Sequence, residues 1–140
     1  MKDSHEHPAA DPAIVDEMLV RRDTFAKLLG LELVHVARGA ATVRMTIRPD
    51  HFNGLGIVHG GALFTLADYA FAAACNAHGV PTVAIQASIA FLKATKSGVL
   101  TAEAKATAHG KIGQYEVRIT DEAGELVAIF HGMSYEKTKR

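Results

Sequence analysis

The chain has 140 residues, of which 49% are hydrophobic and 21% charged, the composition of a soluble globular protein with one core. Lysine plus arginine and aspartate plus glutamate number 15 each. This balance argues against a nucleic-acid binder that works by neutralising phosphates, and the single cysteine, Cys75, excludes an intrachain disulfide and a cysteine-based metal site.

The N-terminal part predicts a polar tail followed by one helix. Residues 1–10 are expected to be disordered, and they contain no apolar signal region. No apolar run is long enough to span a membrane, so we expect a cytoplasmic protein. Asp11 and Pro12 are typical of an N-cap and first helical position, and apolar residues follow at helical spacing.

The hydrophobic period then changes to two, which predicts a hairpin. In its first strand Leu31, Leu33, His35 and Ala37 are expected to share one face. Gly39 turns the chain into a second strand, which ends before Pro49 and Asp50.

The stretch from Gly60 to about His78 is apolar nearly all round, which predicts a helix that is buried on most sides. Four strand-like segments follow, at 82–93, 99–109, 114–120 and 126–135. Short turns link the last of them, so they should be antiparallel. The sequence therefore predicts one α+β domain over 11–136: an N-terminal helix and a long central helix wrapped by five to six antiparallel strands. Residues 137–140 form a polar C-terminal tail.

The most informative segment runs from Asn53 to Gly61, at the start of the central helix. It lacks the third glycine of a dinucleotide fingerprint and the Gly-Lys-Ser/Thr of a phosphate loop. Two interpretations remain open. The glycines either form a tight turn and cap, or the N–H groups of Gly60 and Gly61 form an oxyanion hole at the positive end of the helix.

A carboxylate, Asp68, lies inside the same apolar helix. Acidic residues are rarely buried without a partner or a task. Asp68 follows Gly60 by eight residues, about 12 Å along a helix, so one acyl carbon cannot touch both groups in one subunit. Either the two are unrelated, or the site is shared by antiparallel helices in a two-fold dimer, which we favour.

The segment resembles the PaaI-type acyl-CoA thioesterases of the hotdog superfamily. The matching residues are His51-Phe52-Asn53, Gly56, His59-Gly60-Gly61 and Leu66-Ala67-Asp68, with Ala73-Ala74-Cys75-Asn76 and Phe91-Leu92-Lys93 beyond them. The resemblance covers roughly residues 30–136. It implies a hotdog fold, a homodimer with shared active sites that is often doubled into a homotetramer, and hydrolysis without a metal or other cofactor.

The resemblance also implies roles for individual residues. Asp68 would be a general base or a nucleophile, and the Gly60 N–H would polarise the thioester carbonyl. Asn53 would orient the thioester or water, His59 would support Asn53 and the turn, and Thr82 would hold the water. The predicted contacts to the substrate are Gly61, Phe52, Phe64 and Tyr69 for the acyl end and Lys93 and Lys96 for the coenzyme A phosphates.

The acyl group is expected to be medium-chain or aromatic. Many relatives have Arg-Pro where this chain has Lys93-Ala94, and Arg118 and Lys111 are weaker candidates for phosphate contacts. A hydratase or dehydratase acting on acyl thioesters, and a non-catalytic acyl-CoA-binding protein, are the alternatives.

Overall fold

The computed structural model describes residues 10–137. Predictions for residues 1–9 and 138–140 lie outside this range. The helices are α1 (Pro12–Ile14), which continues as a π-helical segment (Val15–Arg21), α2 (Thr24–Leu28) and α3 (Gly60–Asn76), and a 3-10 turn spans Pro49–His51. The strands are β1 (Leu31–Ala37), β2 (Ala40–Thr46), β3 (Thr82–Phe91), β4 (Val99–Ala108), β5 (Ile112–Thr120) and β6 (Leu126–Glu136).

The six strands form one sheet in the order β1-β2-β4-β5-β6-β3, and each neighbouring pair is antiparallel. The strand β3 follows α3 but crosses to the far edge, where it pairs with β6 alone. The predicted α+β architecture is confirmed. No helix among residues 10–137 is long and apolar enough to cross a membrane.

Small side chains let the sheet approach α3 closely. Ala102 and Ala104 of β4 are buried against the core that α3 occupies. In β6, Gly132 faces the ring of Phe71, and a Cβ at that position would lie 2.9 Å from two ring atoms. Because close-packed cores tolerate little added volume, the small residues of the sheet set how tightly it wraps α3.

One stripe of α3 remains uncovered. Along the 17 residues of the helix, only six are not fully buried, and those beyond Gly60 follow the i, i+3, i+4, i+7, i+11 pattern: Gly61, Phe64, Thr65, Asp68 and Ala72. This spacing is one face of a helix. The sheet and the N-terminal helices therefore cover α3 on every side but the one that carries Asp68.

The N-terminal helices begin as predicted and pack beside α3. The Asp11 carboxylate accepts a hydrogen bond from the Ala13 N–H at 3.0 Å, which is an N-cap. Asp23 caps α2 in the same way, at 3.0 Å from the Ala26 nitrogen. The hydroxyl of Tyr69 in α3 donates to the Leu19 carbonyl at 2.6 Å, which ties the first helical segment to the central helix.

Two details of the sequence-based assignment are wrong. A β-bulge between Leu33 and His35 shifts the register of β1, so Val36 rather than His35 packs against the core after Leu33. The central helix also ends at Asn76 instead of near His78. The Asn76 side chain explains this end, because its amide donates to the Thr82 carbonyl at 3.0 Å and accepts the Thr82 N–H at 2.9 Å, which draws the chain into β3.

Candidate active site

His59 caps the start of α3. Its Nδ1 accepts the Gly61 N–H at 2.8 Å, and its carbonyl accepts the Ala62 N–H at 2.9 Å. The Gly60 N–H donates to no atom within residues 10–137. Of the two glycine donors expected for an oxyanion hole, one is therefore occupied by the cap, and the other is available at the positive end of the helix.

Close approach, and not an unusual backbone angle, explains both glycines. A Cβ at Gly60 would lie 3.0 Å from the ring of Phe91, and a Cβ at Gly61 would lie 2.9 Å from the His59 Nδ1. Neither residue has a positive φ. Phe91, to which the sequence assigned no role in the site, thus lies directly beside the Gly60 donor.

Asn53 organises the loop that leads into α3. Its Oδ1 accepts the Leu55 N–H at 2.9 Å and the Ile57 N–H at 3.3 Å. Because both partners are donors, the amide orientation is fixed, and Nδ2 points away from them. Nδ2 has no hydrogen-bond partner in the described part of the chain. It can therefore donate to a carbonyl oxygen or a water.

His51, which is matched in the resemblance but was given no role there, is a positioning residue. It is buried, and its Nε2 lies 2.8 Å from the Leu29 carbonyl, while Nδ1 accepts the Arg48 N–H at 3.2 Å. This pattern requires a neutral ring that donates from Nε2. The His51 carbonyl also accepts the His59 N–H at 2.7 Å, so His51 fixes the capping residue to α2.

Asp68 is half-buried on the uncovered stripe of α3. Burial raises the pKa of its carboxyl group above the usual value, and the negative charge of Asp23 raises the pKa further. Within residues 10–137 the carboxylate has no hydrogen-bond or ion-pair partner. Asp68 lies eight residues from Gly60, about 12 Å along α3, so one chain does not bring the carboxylate and the amide donor together.

Thr82 lies at the other end of α3 from Gly60. Its hydroxyl donates to the Val80 carbonyl at 2.9 Å, and its backbone is held by Asn76. Asn76 is itself eight residues beyond Asp68. The structure does not bring Thr82 to Asp68 in one subunit, and its role stays a prediction.

The two lysines predicted to bind phosphate differ in their surroundings. Lys93 forms ion pairs with Asp121, at 2.6 Å, and with Glu125. The hydrogen bond to Asp121, followed by that to Glu125, raises the pKa of Lys93. Lys96 is exposed and has no such partner among the described residues. A phosphate would have to compete with two carboxylates for Lys93 but not for Lys96.

The aromatic residues predicted to contact the substrate lie in different surroundings. Phe52 and Phe64 line a groove of about 460 Å³ that begins at His59 and Gly61 and is bordered by Phe25. Phe64 packs edge-on against Phe130, with ring centroids 5.3 Å apart. Tyr69 is buried, and its hydroxyl is occupied by the Leu19 carbonyl. Only the first two are therefore exposed toward the groove.

Cys75, predicted to be a packing group, is buried. Burial raises the pKa of its thiol to about 12, so the thiol is protonated and unreactive at neutral pH. Among residues 10–137, no group of three or more His, Cys, Asp and Glu side chains is arranged to hold a metal ion.

Comparison with known proteins agrees with this geometry. A family model described as "Thioesterase superfamily" matches residues 55–128. The chain is 40% identical over 119 residues to acyl-coenzyme A thioesterase PaaI of Escherichia coli, covering 84% of this chain and 85% of that protein. It is 30% identical to human acyl-coenzyme A thioesterase 13, over 81% of this chain and 86% of that one.

The solved structure of the E. coli PaaI protein, from the phenylacetic acid degradation operon, superposes with a TM-score of 0.81. It is 39% identical, and the match covers 84% of this chain and 86% of that chain. The fold, a long central helix wrapped by an antiparallel sheet, is that of the hotdog thioester hydrolases. The chain belongs to the thioesterase superfamily, and within it the predicted likeness to PaaI-type enzymes is confirmed.

The cap leads to a prediction about stability. Replacing His59 with Ala removes the acceptor of the Gly61 N–H and should lower the free energy of unfolding by about 1 kcal/mol. His59→Asn should retain most of that stability, because an Asn side chain also accepts at an N-cap. Chemical denaturation of both variants provides the measurement, and equal stability of the two would show that His59 does not act as a cap.

Proposed function

We propose that the chain hydrolyses a medium-chain or aromatic acyl-CoA thioester to the free acid and coenzyme A, in a site shared by two subunits. The observation that carries this proposal is the position of Asp68. An unpartnered carboxylate with a raised pKa stands on the one uncovered face of α3, and the available Gly60 donor begins the same helix. A general base and an amide donor are what thioester hydrolysis requires.

A two-fold dimer would unite these groups. If two copies of α3 pack antiparallel so that Gly60 of one faces Asp68 of the other, the symmetry axis passes midway between these positions, at residue 64. Phe64 is exposed at this point of the stripe. A second copy would therefore cover the stripe and bury Phe64.

The open edge of β3 supports the same assembly. This strand pairs only with β6, and its other edge has no partner among the described strands. Val83 and Ile85 are both exposed on it. Exposed apolar edge strands are liable to pair with another chain, and pairing with the β3 of a second copy would extend the sheet. We further propose that such dimers associate into a homotetramer and that the enzyme is cytoplasmic.

In the proposed mechanism the thioester carbonyl oxygen accepts the Gly60 N–H, which stabilises the negative charge of the tetrahedral intermediate. Asp68 of the other subunit accepts a proton from water as the oxygen attacks the carbonyl carbon. The C–S bond then breaks, and the departing thiolate takes the proton back from Asp68. Direct attack by the carboxylate is the alternative, and Asn53 Nδ2 would orient the thioester or the water in either case.

The groove beside the cap supports an apolar acyl group. Its aromatic lining by Phe25, Phe52 and Phe64 suits an alkyl chain or a ring. The E. coli relative comes from a phenylacetic acid degradation operon, so aromatic acyl-CoA thioesters should be assayed first. Lys96 is the stronger of the two phosphate candidates, since Lys93 is already paired with carboxylates.

The decisive assay is release of free coenzyme A from a panel of aromatic and fatty acyl-CoA thioesters. Wild-type protein should turn over at least one class, and Asp68→Asn should lose at least about a hundredfold in kcat because a general base contributes that much or more. Formation of a hydrated product without thiol release would support a hydratase, and tight binding without any reaction would support a binding protein.

The same variant provides its own folding control. Burial gives Asp68 a higher pKa in the folded chain than in the unfolded chain, so the folded state binds this proton more tightly. Stability is therefore lost as pH rises from the unfolded pKa through the folded pKa. At neutral pH, Asp68→Asn should be at least as stable as wild type in denaturant unfolding, and its advantage should shrink in acid. A marked destabilisation would assign Asp68 a structural role.

The charge of Asp23 should be visible in the pH profile. In Asp23→Asn the N-cap of α2 is preserved, because Asn also accepts there, but the charge that raises the pKa of Asp68 is gone. The acid limb of kcat/KM should move to lower pH, with little change in the plateau. An unchanged limb would show that the charge of Asp23 does not raise the pKa of the titrating group.

Subunit complementation tests the shared site directly. Asn53→Asp keeps the acceptor for the Leu55 and Ile57 N–H groups but removes the Nδ2 donor. Mixed with Asp68→Asn, each inactive alone, random dimers should recover about a quarter of wild-type sites, because half the dimers are mixed and each mixed dimer holds one intact site. Failure to recover activity in verified mixed dimers would place the site within one subunit.

A further inference from the structure

A second cavity lies at the C-terminal end of α3, opposite the end that carries Gly60. It has a volume of about 410 Å³ and lies between the helix end and the inner face of the sheet. Its walls are formed by Cys75 near the end of α3, His78 just after the helix, Tyr115 of β5, and Ser134 and Glu136 of β6. Arg38 and Lys111 also line it, and both have partners of their own.

Two hydroxyl groups on mostly buried residues face this cavity. Tyr115 is 9% exposed and Ser134 is 3% exposed, both line the cavity, and neither hydroxyl has a hydrogen-bond partner among residues 10–137. Both hydroxyls can therefore donate to a small molecule or a water that enters the cavity. In addition, His78 Nδ1 is buried and unpartnered, while Nε2 lies 3.4 Å from the Glu136 carboxylate.

A glycine lets the two hydroxyl-bearing side chains pack closely against β5. Gly113 of β5 lies beneath both of them. A Cβ there would be 2.9 Å from Ser134 Oγ and 3.4 Å from Tyr115 Cε1. The ring of Phe71 packs edge-on against Tyr115, with centroids 5.2 Å apart, which holds the phenol in place.

We propose that this cavity binds a small organic carboxylate, whose two oxygens accept the Tyr115 and Ser134 hydroxyls. Burial raises the pKa of Tyr115 to about 12, so the phenol is a protonated donor at neutral pH. Glu136, the acidic side chain of the lining, is engaged with His78. The volume is near the lower end of the range for small-molecule sites. The proposal does not depend on thioester hydrolysis.

Calorimetric titration with benzoate and hexanoate tests the proposal, with benzamide as the uncharged comparison. The wild-type chain should bind at least one of the acids. Tyr115→Phe and Ser134→Ala should each weaken that binding by about three- to tenfold, the effect of one lost hydrogen bond. Tyr135→Phe and Ser88→Ala remove hydroxyls that do not line the cavity and should leave the affinity unchanged.

The variants also separate this cavity from the candidate active site. Binding at the second cavity should survive Asp68→Asn. If Asp68→Asn loses binding while Tyr115→Phe binds as wild type does, the acid binds in the candidate active site and the proposal is overturned. Equal affinity for benzamide, or no binding of either acid at millimolar concentration, would overturn it as well. Thermal unfolding of each variant verifies that the fold is intact.

Discussion

The structure depends on one packing constraint, which is that α3 is apolar on nearly its whole circumference and must be covered on nearly all of it. Alanine faces on β4 and the absence of a side chain at Gly132 let the sheet approach closely enough to do so. Six strands wrap the helix only partway, however. The residual stripe, which carries Asp68 and Phe64, is the direct geometrical result. The same constraint that stabilises the fold thus selects which face of the helix is available for chemistry.

The start of α3 is subject to a different constraint. The N–H groups of the first helical turn have no partners within the helix, and a binding site here needs at least one of them to stay available. Here His59 takes the N–H of Gly61 and leaves that of Gly60. The capping ring is held through its own backbone by His51, which is anchored to α2. An available amide donor and a stable helix end are therefore built from adjacent residues with separate tasks.

Much of this could be predicted from the sequence, because patterning and caps are local. The Asp11 cap, the buried helix and the antiparallel strands follow from periods of 3.6 and 2 and from turn residues. The bulge after Leu33 and the helix end at Asn76 could not, since each depends on a specific contact with a neighbouring strand and not on the period of the element itself. The site divides in the same way.

Asn53, His59, Gly60 and Asp68 stood out as motif residues in the sequence, but their hydrogen-bond partners did not. The Gly61 N–H is taken up locally by the His59 cap, whereas Lys93 is held by Asp121 through a tertiary contact, and neither partner follows from the motif alone. His51 belongs to the matched motif, but its role was not predicted because a histidine after Pro49 and Asp50 resembles any polar turn residue. Only its contact with Leu29, 22 residues away, marks it as a support of the site.

The burial of Cys75 has a practical consequence. As the chain's only cysteine, with a mostly buried and protonated thiol, it should react with a disulfide reagent much more slowly than a free thiol does. Free coenzyme A can therefore be followed colorimetrically with little background from the enzyme. When the substrate is omitted, the rate at which Cys75 is modified reports how often the structure opens around the end of the central helix.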